Sequence, residues 1–123
     1  MHELAIAESL LEIVNDTVKR HHLIKVNKIR LKIGLLTSVV PEALEFSWQA
    51  LTKNTVCEGS SLEMKMIPVR GRCRGCGKEV FYKDADQFCF LCPDCGQEIE
   101  ILEGRDLSIE EIEGEEEDEN SSS

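Results

Sequence analysis

Leu4, Ala7, Leu10, Leu11, Val14 and Val18 recur at steps of three and four, the spacing that lines one face of a helix. Residues 3–20 are therefore predicted to form an amphipathic helix with one buried stripe. Val26, then Ile29, Leu31 and Ile33, alternate with Lys28, Arg30 and Lys32. That is the period of a half-buried strand, expected over 24–36, with the break near Asn27 read as a bulge. Pro41 suits the first turn of a helix, where its missing N–H leaves no bond unmade. A second helix is expected over 41–53, its apolar side formed by Ala43, Leu44, Ser47, Trp48 and Leu51. Glu58-Gly59-Ser60-Ser61 reads as a turn, after which Leu62, Met64 and Met66 alternate along a strand to about Pro68.

From Arg70 to about Glu100 the pattern changes to cysteine, glycine and charge with little helical period. Leu107, Ile109 and Ile112 then suggest a last strand whose only partners precede this stretch. The cysteine segment thus reads as an insertion into a helix–strand–helix–strand–strand domain.

Two pieces of the insertion share one design. Cys73-Arg74-Gly75-Cys76-Gly77 and Cys92-Pro93-Asp94-Cys95-Gly96 each place two cysteines two residues apart and follow them with glycine. The spacing lets both thiolates of a tight turn reach one ion, and the glycine can take the positive φ that completes the turn. Four sulfurs make a closed tetrahedral Zn(II) site with no open position, which is structural rather than catalytic. Cys89 and Cys92 have the same two-residue spacing, so a set using Cys89 in place of Cys95 stays open. The symmetry of the two turns favours Cys73, Cys76, Cys92 and Cys95. Cys57 stands alone and reads as a buried structural residue.

The fold expected is α+β: two helices on a small mostly antiparallel three-stranded sheet, with an inserted zinc-ribbon domain. Residues 1–69 plus 101–113 form the α+β domain, 70–100 the ribbon, and 114–123 an acidic disordered tail.

Composition narrows the function. At 123 residues and 41% apolar content, the chain can bury one modest core and benefits from a metal staple. No run approaches the roughly 20 apolar residues of a membrane span. Glu3 and Glu8 stand where a secretory leader needs a basic start and an apolar run. A cytoplasmic setting follows as an expectation, and there thiols favour metal over disulfide. Eight acids from Glu110 to Glu119 account for most of the net charge of −10. They read as a solubilising end rather than a cation site. Without a basic footprint, nucleic acid is a poor partner.

The start of the chain carries the distinctive chemistry. His2 sits one peptide unit from the Met1 amine. Amine and imidazole have reference pKa values of about 8 and about 6.5, so both can release a proton to a metal near neutrality. The first N–H groups of a helix lack intrahelical acceptors, so the amides of His2 and Glu3 are available too. The amine, the His2 amide and the imidazole close fused chelate rings, with the Glu3 amide as a candidate fourth nitrogen, and planar nitrogen ligation is characteristic of Ni(II) or Cu(II) rather than Zn(II). A site at a chain terminus suits transfer of a metal better than catalysis with it. The Glu3 carboxylate has two readings, a metal role or a favourable charge at the helix N-terminus. His21 and His22 read as polar residues at a helix C-terminus rather than ligands.

Met1-His2-Glu3-Leu4, Gly34 to Ser38, Val40-Pro41-Glu42-Ala43-Leu44-Glu45-Phe46, Leu51-Thr52, Glu58-Gly59 and the paired knuckles together resemble the hydrogenase-maturation nickel metallochaperones, the HypA/HybF family. The resemblance runs to about Glu113. It implies that residues 1–69 plus 101–113 form a nickel-binding domain. There, His2 binds transferable Ni(II) with the Met1 amine and the Glu3 backbone. It further implies structural Zn(II) on Cys73, Cys76, Cys92 and Cys95, and no catalysis. The partners implied are a nickel-handling GTPase and the large subunit of [NiFe] hydrogenase, extending to urease maturation proteins in some relatives. Where some members place histidine directly after a knuckle, this chain has Gly77 and Gly96. The competing reading is a zinc-ribbon adaptor or regulatory protein-binding module without nickel transfer. An enzyme finds no support, since no nucleophile and base can be paired from the sequence.

Overall fold

A computed structural model describes residues 2–117. In chain order the elements are α1 (His2–His21), β1 (Leu23–Gly34), α2 (Pro41–Leu51), β2 (Ser61–Ile67), β3 (Val69–Cys73), β4 (Glu79–Tyr82), β5 (Ile99–Glu103) and β6 (Leu107–Glu116). Short 3-10 turns occupy Leu35–Thr37 and Ala85–Gln87. Two three-stranded sheets result, ordered β2-β1-β6 and β4-β3-β5. The α+β expectation therefore holds, mostly antiparallel, with two helices. Among the described residues, no helix is long and apolar enough to cross a membrane.

The chain divides into two compact units. Of the described residues, the first comprises 2–31, 39–63 and 109–117. Its helices pack on each other. Ala7, Leu10 and Val14 of α1 meet a core that includes Val26, Ile29, Leu31, Leu44 and Trp48, all buried. Trp48 is the anchor. Its Nε1–H donates to the Ser60 hydroxyl at 2.8 Å, so a fully buried indole keeps its polar edge paired. Gln49 Nε2 donates to the Ser60 carbonyl at 2.8 Å, tying α2 to the start of β2. Val26 and Ile29 are both fully buried although three apart, which strict alternation forbids. The phase of β1 thus shifts between them, around Asn27.

On the other side of β1, Lys28 Nζ lies 3.3 Å from Glu63 and 3.9 Å from Glu113. Arg30 lies 3.2 Å from both Glu63 and Glu111. Cations on the central strand thus face acids on both neighbours. Such exposed pairs add little stability each, but they offset repulsion along the acidic β6.

That pairing corrects one expectation. The acidic tail was expected from Gly114, yet β6 runs through Glu116, and the Glu117 N–H donates to the His22 carbonyl at 2.9 Å. Backbone pairing with β1 satisfies groups that a solvated tail would leave to water. Gly114 is a close approach rather than a break: a Cβ there would sit 2.5 Å from the Lys25 carbonyl oxygen. Asp118 and Glu119, with the rest of the expected tail, lie outside the described residues.

The second unit comprises residues 32–38 and 64–108. β3 is its spine, antiparallel to β4 (Val69 opposite Tyr82, Arg72 opposite Glu79) and to β5 (Cys73 opposite Ile99). None of these three strands is among the elements expected from the sequence, where the last strand before the cysteines ends at about Pro68. They are only four or five residues long, too short for alternation to stand out. Cys73, Val80, Cys92 and Ile99 form the buried cluster, with Tyr82 and Ile101 packed against it.

Candidate metal centres

Cys73 ends β3, and its knuckle closes by two backbone bonds. The Cys73 N–H donates to the Lys78 carbonyl at 2.8 Å, and the Gly77 N–H donates to the Cys73 carbonyl at 3.1 Å. The second knuckle repeats both bonds: Cys92 N–H to the Gln97 carbonyl at 2.8 Å, Gly96 N–H to the Cys92 carbonyl at 2.9 Å. Gly77 and Gly96 each hold φ at +76°, the left-handed region where glycine carries no Cβ penalty.

The two turns bring Cys73, Cys76, Cys92 and Cys95 together, all four sulfurs within 4.8 Å of one another. Cys73 Sγ is 3.3 Å from Cys95 Sγ, and Cys76 Sγ is 3.7 Å from Cys92 Sγ. Four sulfurs on one zinc at about 2.3 Å would stand about 3.8 Å apart in a tetrahedron, so the donor set fits a single four-coordinate ion. No disulfide joins them. The group excludes Cys89, which is exposed. Cys57 is fully buried, and burial pushes its thiol up.

Local dipoles prepare the sulfurs for ionisation. The Cys76 and Gly75 N–H groups point at Cys73 Sγ, at 3.4 and 3.3 Å. The Cys76 N–H is the main cause that brings the Cys73 thiol down to about 6. For Cys95 the Gln97 N–H pulls the same way but is outweighed. The neighbouring Cys73, burial and the other thiols push Cys95 up to about 11. Without metal, one thiolate on Cys73 is favourable and further charge is resisted. A divalent cation reverses that by neutralising the cluster. Lys78 Nζ bridges from the first knuckle to Asp94 of the second at 2.8 Å, adding a cation beside the thiolates.

The other candidate centre is at the start of α1, in the first unit. His2 is its first residue, and Met1, the other expected donor, lies outside the described residues. His2 Nε2 is 3.3 Å from Glu3 Oε2. Glu3 is buried, 5% exposed, and the same oxygen accepts the Val40 N–H at 3.1 Å. That N–H is the main cause holding the Glu3 carboxyl below its ordinary value, with burial opposing it. Sequence reasoning missed this tie, because 37 residues separate the partners and only the packing of α1 on α2 joins them. An apolar groove of about 370 Å³ lies beside it, lined by Glu3, Leu4, Ala43, Phe46, Ser47 and Ala50. His21 ends α1, and His22 follows at φ +54°, a left-handed cap position. Neither belongs to a ligand cluster among the described residues.

Residues 1–114 match the family described as hydrogenase/urease nickel incorporation, metallochaperone, hypA. The chain belongs to the HypA family. The hydrogenase maturation factor HypA of Desulfitobacterium hafniense is 39% identical over 116 residues, which is 94% of this chain and 100% of the relative. HypA of Moorella thermoacetica is 40% identical over the same shares. HypA of Solidesulfovibrio magneticus is 41% identical over 92% of this chain and 98% of its own. The solution structure of the nickel metallochaperone HypA from Helicobacter pylori superposes with a TM-score of 0.70. It covers 95% of this chain and all of that one at 18% identity, a likeness of fold. The arrangement of helices and sheets is thus that of a HypA fold.

Proposed function

We propose that this chain is a nickel metallochaperone that binds Ni(II) at its N-terminus and delivers it to the [NiFe] hydrogenase large subunit. The Met1 amine, the His2 amide and imidazole and the Glu3 backbone amide are the donors. Cys73, Cys76, Cys92 and Cys95 hold a resident structural Zn(II), which supplies folding energy and no reaction. The chain performs no catalysis. It works in the cytoplasm with a nickel-handling GTPase, and its role extends to urease maturation proteins where those are present. Residues 1–69 plus 101–113 carry the nickel and residues 70–100 the zinc.

The observation that supports this reading most is family membership across residues 1–114, in a chain whose second residue is histidine at a helix start. The helix start supplies free amides, and a terminal site is open to a receiving protein. One added residue before Met1 tests it. Nickel binding should be lost while zinc content and far-ultraviolet circular dichroism stay unchanged. Retained nickel affinity would remove the chelate from consideration.

A further inference from the structure

We infer that the Glu3 side chain is a positioning residue, seating the His2 imidazole so that Nδ1 rather than Nε2 faces the metal. The inference rests on the N-terminal nickel site proposed above and assigns a role to a group outside that donor set. Oε2 of Glu3 lies 3.3 Å from His2 Nε2 and accepts the Val40 N–H at 3.1 Å. One buried oxygen therefore meets both the first residue of α1 and the residue that precedes α2.

The chelate's own geometry says which nitrogen it needs. A ring that starts at the His2 amide nitrogen runs through Cα, Cβ and Cγ and closes at Nδ1. Nε2 lies on the far side of the imidazole and cannot close it. With Nε2 turned to a carboxylate, the hydrogen of the neutral ring belongs on Nε2. The Nδ1 lone pair is then free for a metal. Carboxylates behind metal-binding histidines act in this way, fixing tautomer and ring orientation. The same contacts commit Oε2 of the Glu3 carboxylate to His2 and Val40. They also go beyond a helix-dipole role, which would need no contact with His2 or Val40.

The test uses the full chain with zinc bound. Long-range proton–nitrogen spectra of the metal-free N-terminus report the His2 tautomer, and absorption titration with nickel reports affinity. The native protein should carry its neutral-ring proton on Nε2. Glu3→Ala should mix the tautomers and weaken nickel about tenfold, the low end of such outer-sphere losses. Glu3→Asp, which keeps the charge but withdraws the oxygen by one methylene, should do the same and serves if the alanine variant fails to fold. Glu3→Gln retains an acceptor oxygen and should recover most of both properties. A native tautomer or native nickel affinity in both Glu3→Ala and Glu3→Asp overturns the inference. Failure of the nickel site itself looks different: His2→Ala would then bind nickel normally.

Discussion

Lys78 and Asp94 show how much one contact can be asked to do. The pair spans the two knuckles at 2.8 Å, but both side chains are about half exposed. Water screens such a pair, so Lys78→Ala should speed zinc loss to a competing chelator by no more than about tenfold. A larger effect would mean that the ammonium acts directly on the thiolates. The thiols themselves set the pH behaviour. Zinc needs thiolates, and Cys73 already ionises near 6 while Cys95 resists to about 11. Zinc binding at pH 7.5 should therefore release fewer than four protons, and affinity should fall on acidification; calorimetry in buffers of different ionisation enthalpy measures both. Glu3 obeys the opposite-end rule for a depressed carboxyl. Its folded value lies below the ordinary 4.5. Its tie to Val40 therefore contributes stability above that ordinary value and loses it as pH falls through the lower, folded one. The Val40 amide resonance should be steady at neutral pH and move only below about 4.5.

At the scale of elements, the long pieces were legible because their periods were. The stripe of α1 placed Ala7, Leu10 and Val14 in the core as expected, with bounds of 2–21 against 3–20. Pro41 does open α2. The phase break in β1 was visible as Val26 and Ile29 out of step. What alternation could not show was pairing. β6 looks polar enough to be a tail because its acids are matched by Lys28 and Arg30 on another strand. Nor could local pattern show that Ser60, read only as a turn residue, receives the Trp48 indole hydrogen. Ser60→Ala leaves that buried donor unpaired and should cost about 1–3 kcal/mol, read from urea unfolding followed by Trp48 fluorescence. A loss under half a kcal/mol would mean water replaces the hydroxyl.

Across the whole molecule, the two candidate metal centres fall in different units, and the units depend on metal differently. The buried cluster of the second unit consists of Cys73, Val80, Cys92 and Ile99, so two of its four members are themselves candidate ligands. Stripping the metal removes the tie among these sulfurs and leaves their charge or protons in the core. The first unit is built on Trp48, Leu44, Ile29 and Val14 and contains none of Cys73, Cys76, Cys92 and Cys95. Removing zinc under reducing conditions should therefore abolish amide protection in β3, β4 and β5 while leaving Trp48 fluorescence and α1 protection in place. Protected β3–β5 amides in the zinc-free protein would show that the short sheet holds without its staple.

By itself the sequence determined whatever depends on near neighbours along the chain. Three-and-four spacing makes a helix amphipathic, and two-residue cysteine spacing with a following glycine makes a knuckle. Each of these closes within a few residues, where covalent geometry leaves little choice. Tertiary structure decided the contacts that close across long stretches: which four of six thiols converge, where the acidic strand finds its cations, and what the Glu3 carboxylate holds. Those contacts depend on packing α1 against α2 and folding β3 between its neighbours, which no local period encodes. For that reason His2 could be singled out from its position, whereas the contacts of the residue beside it required the fold.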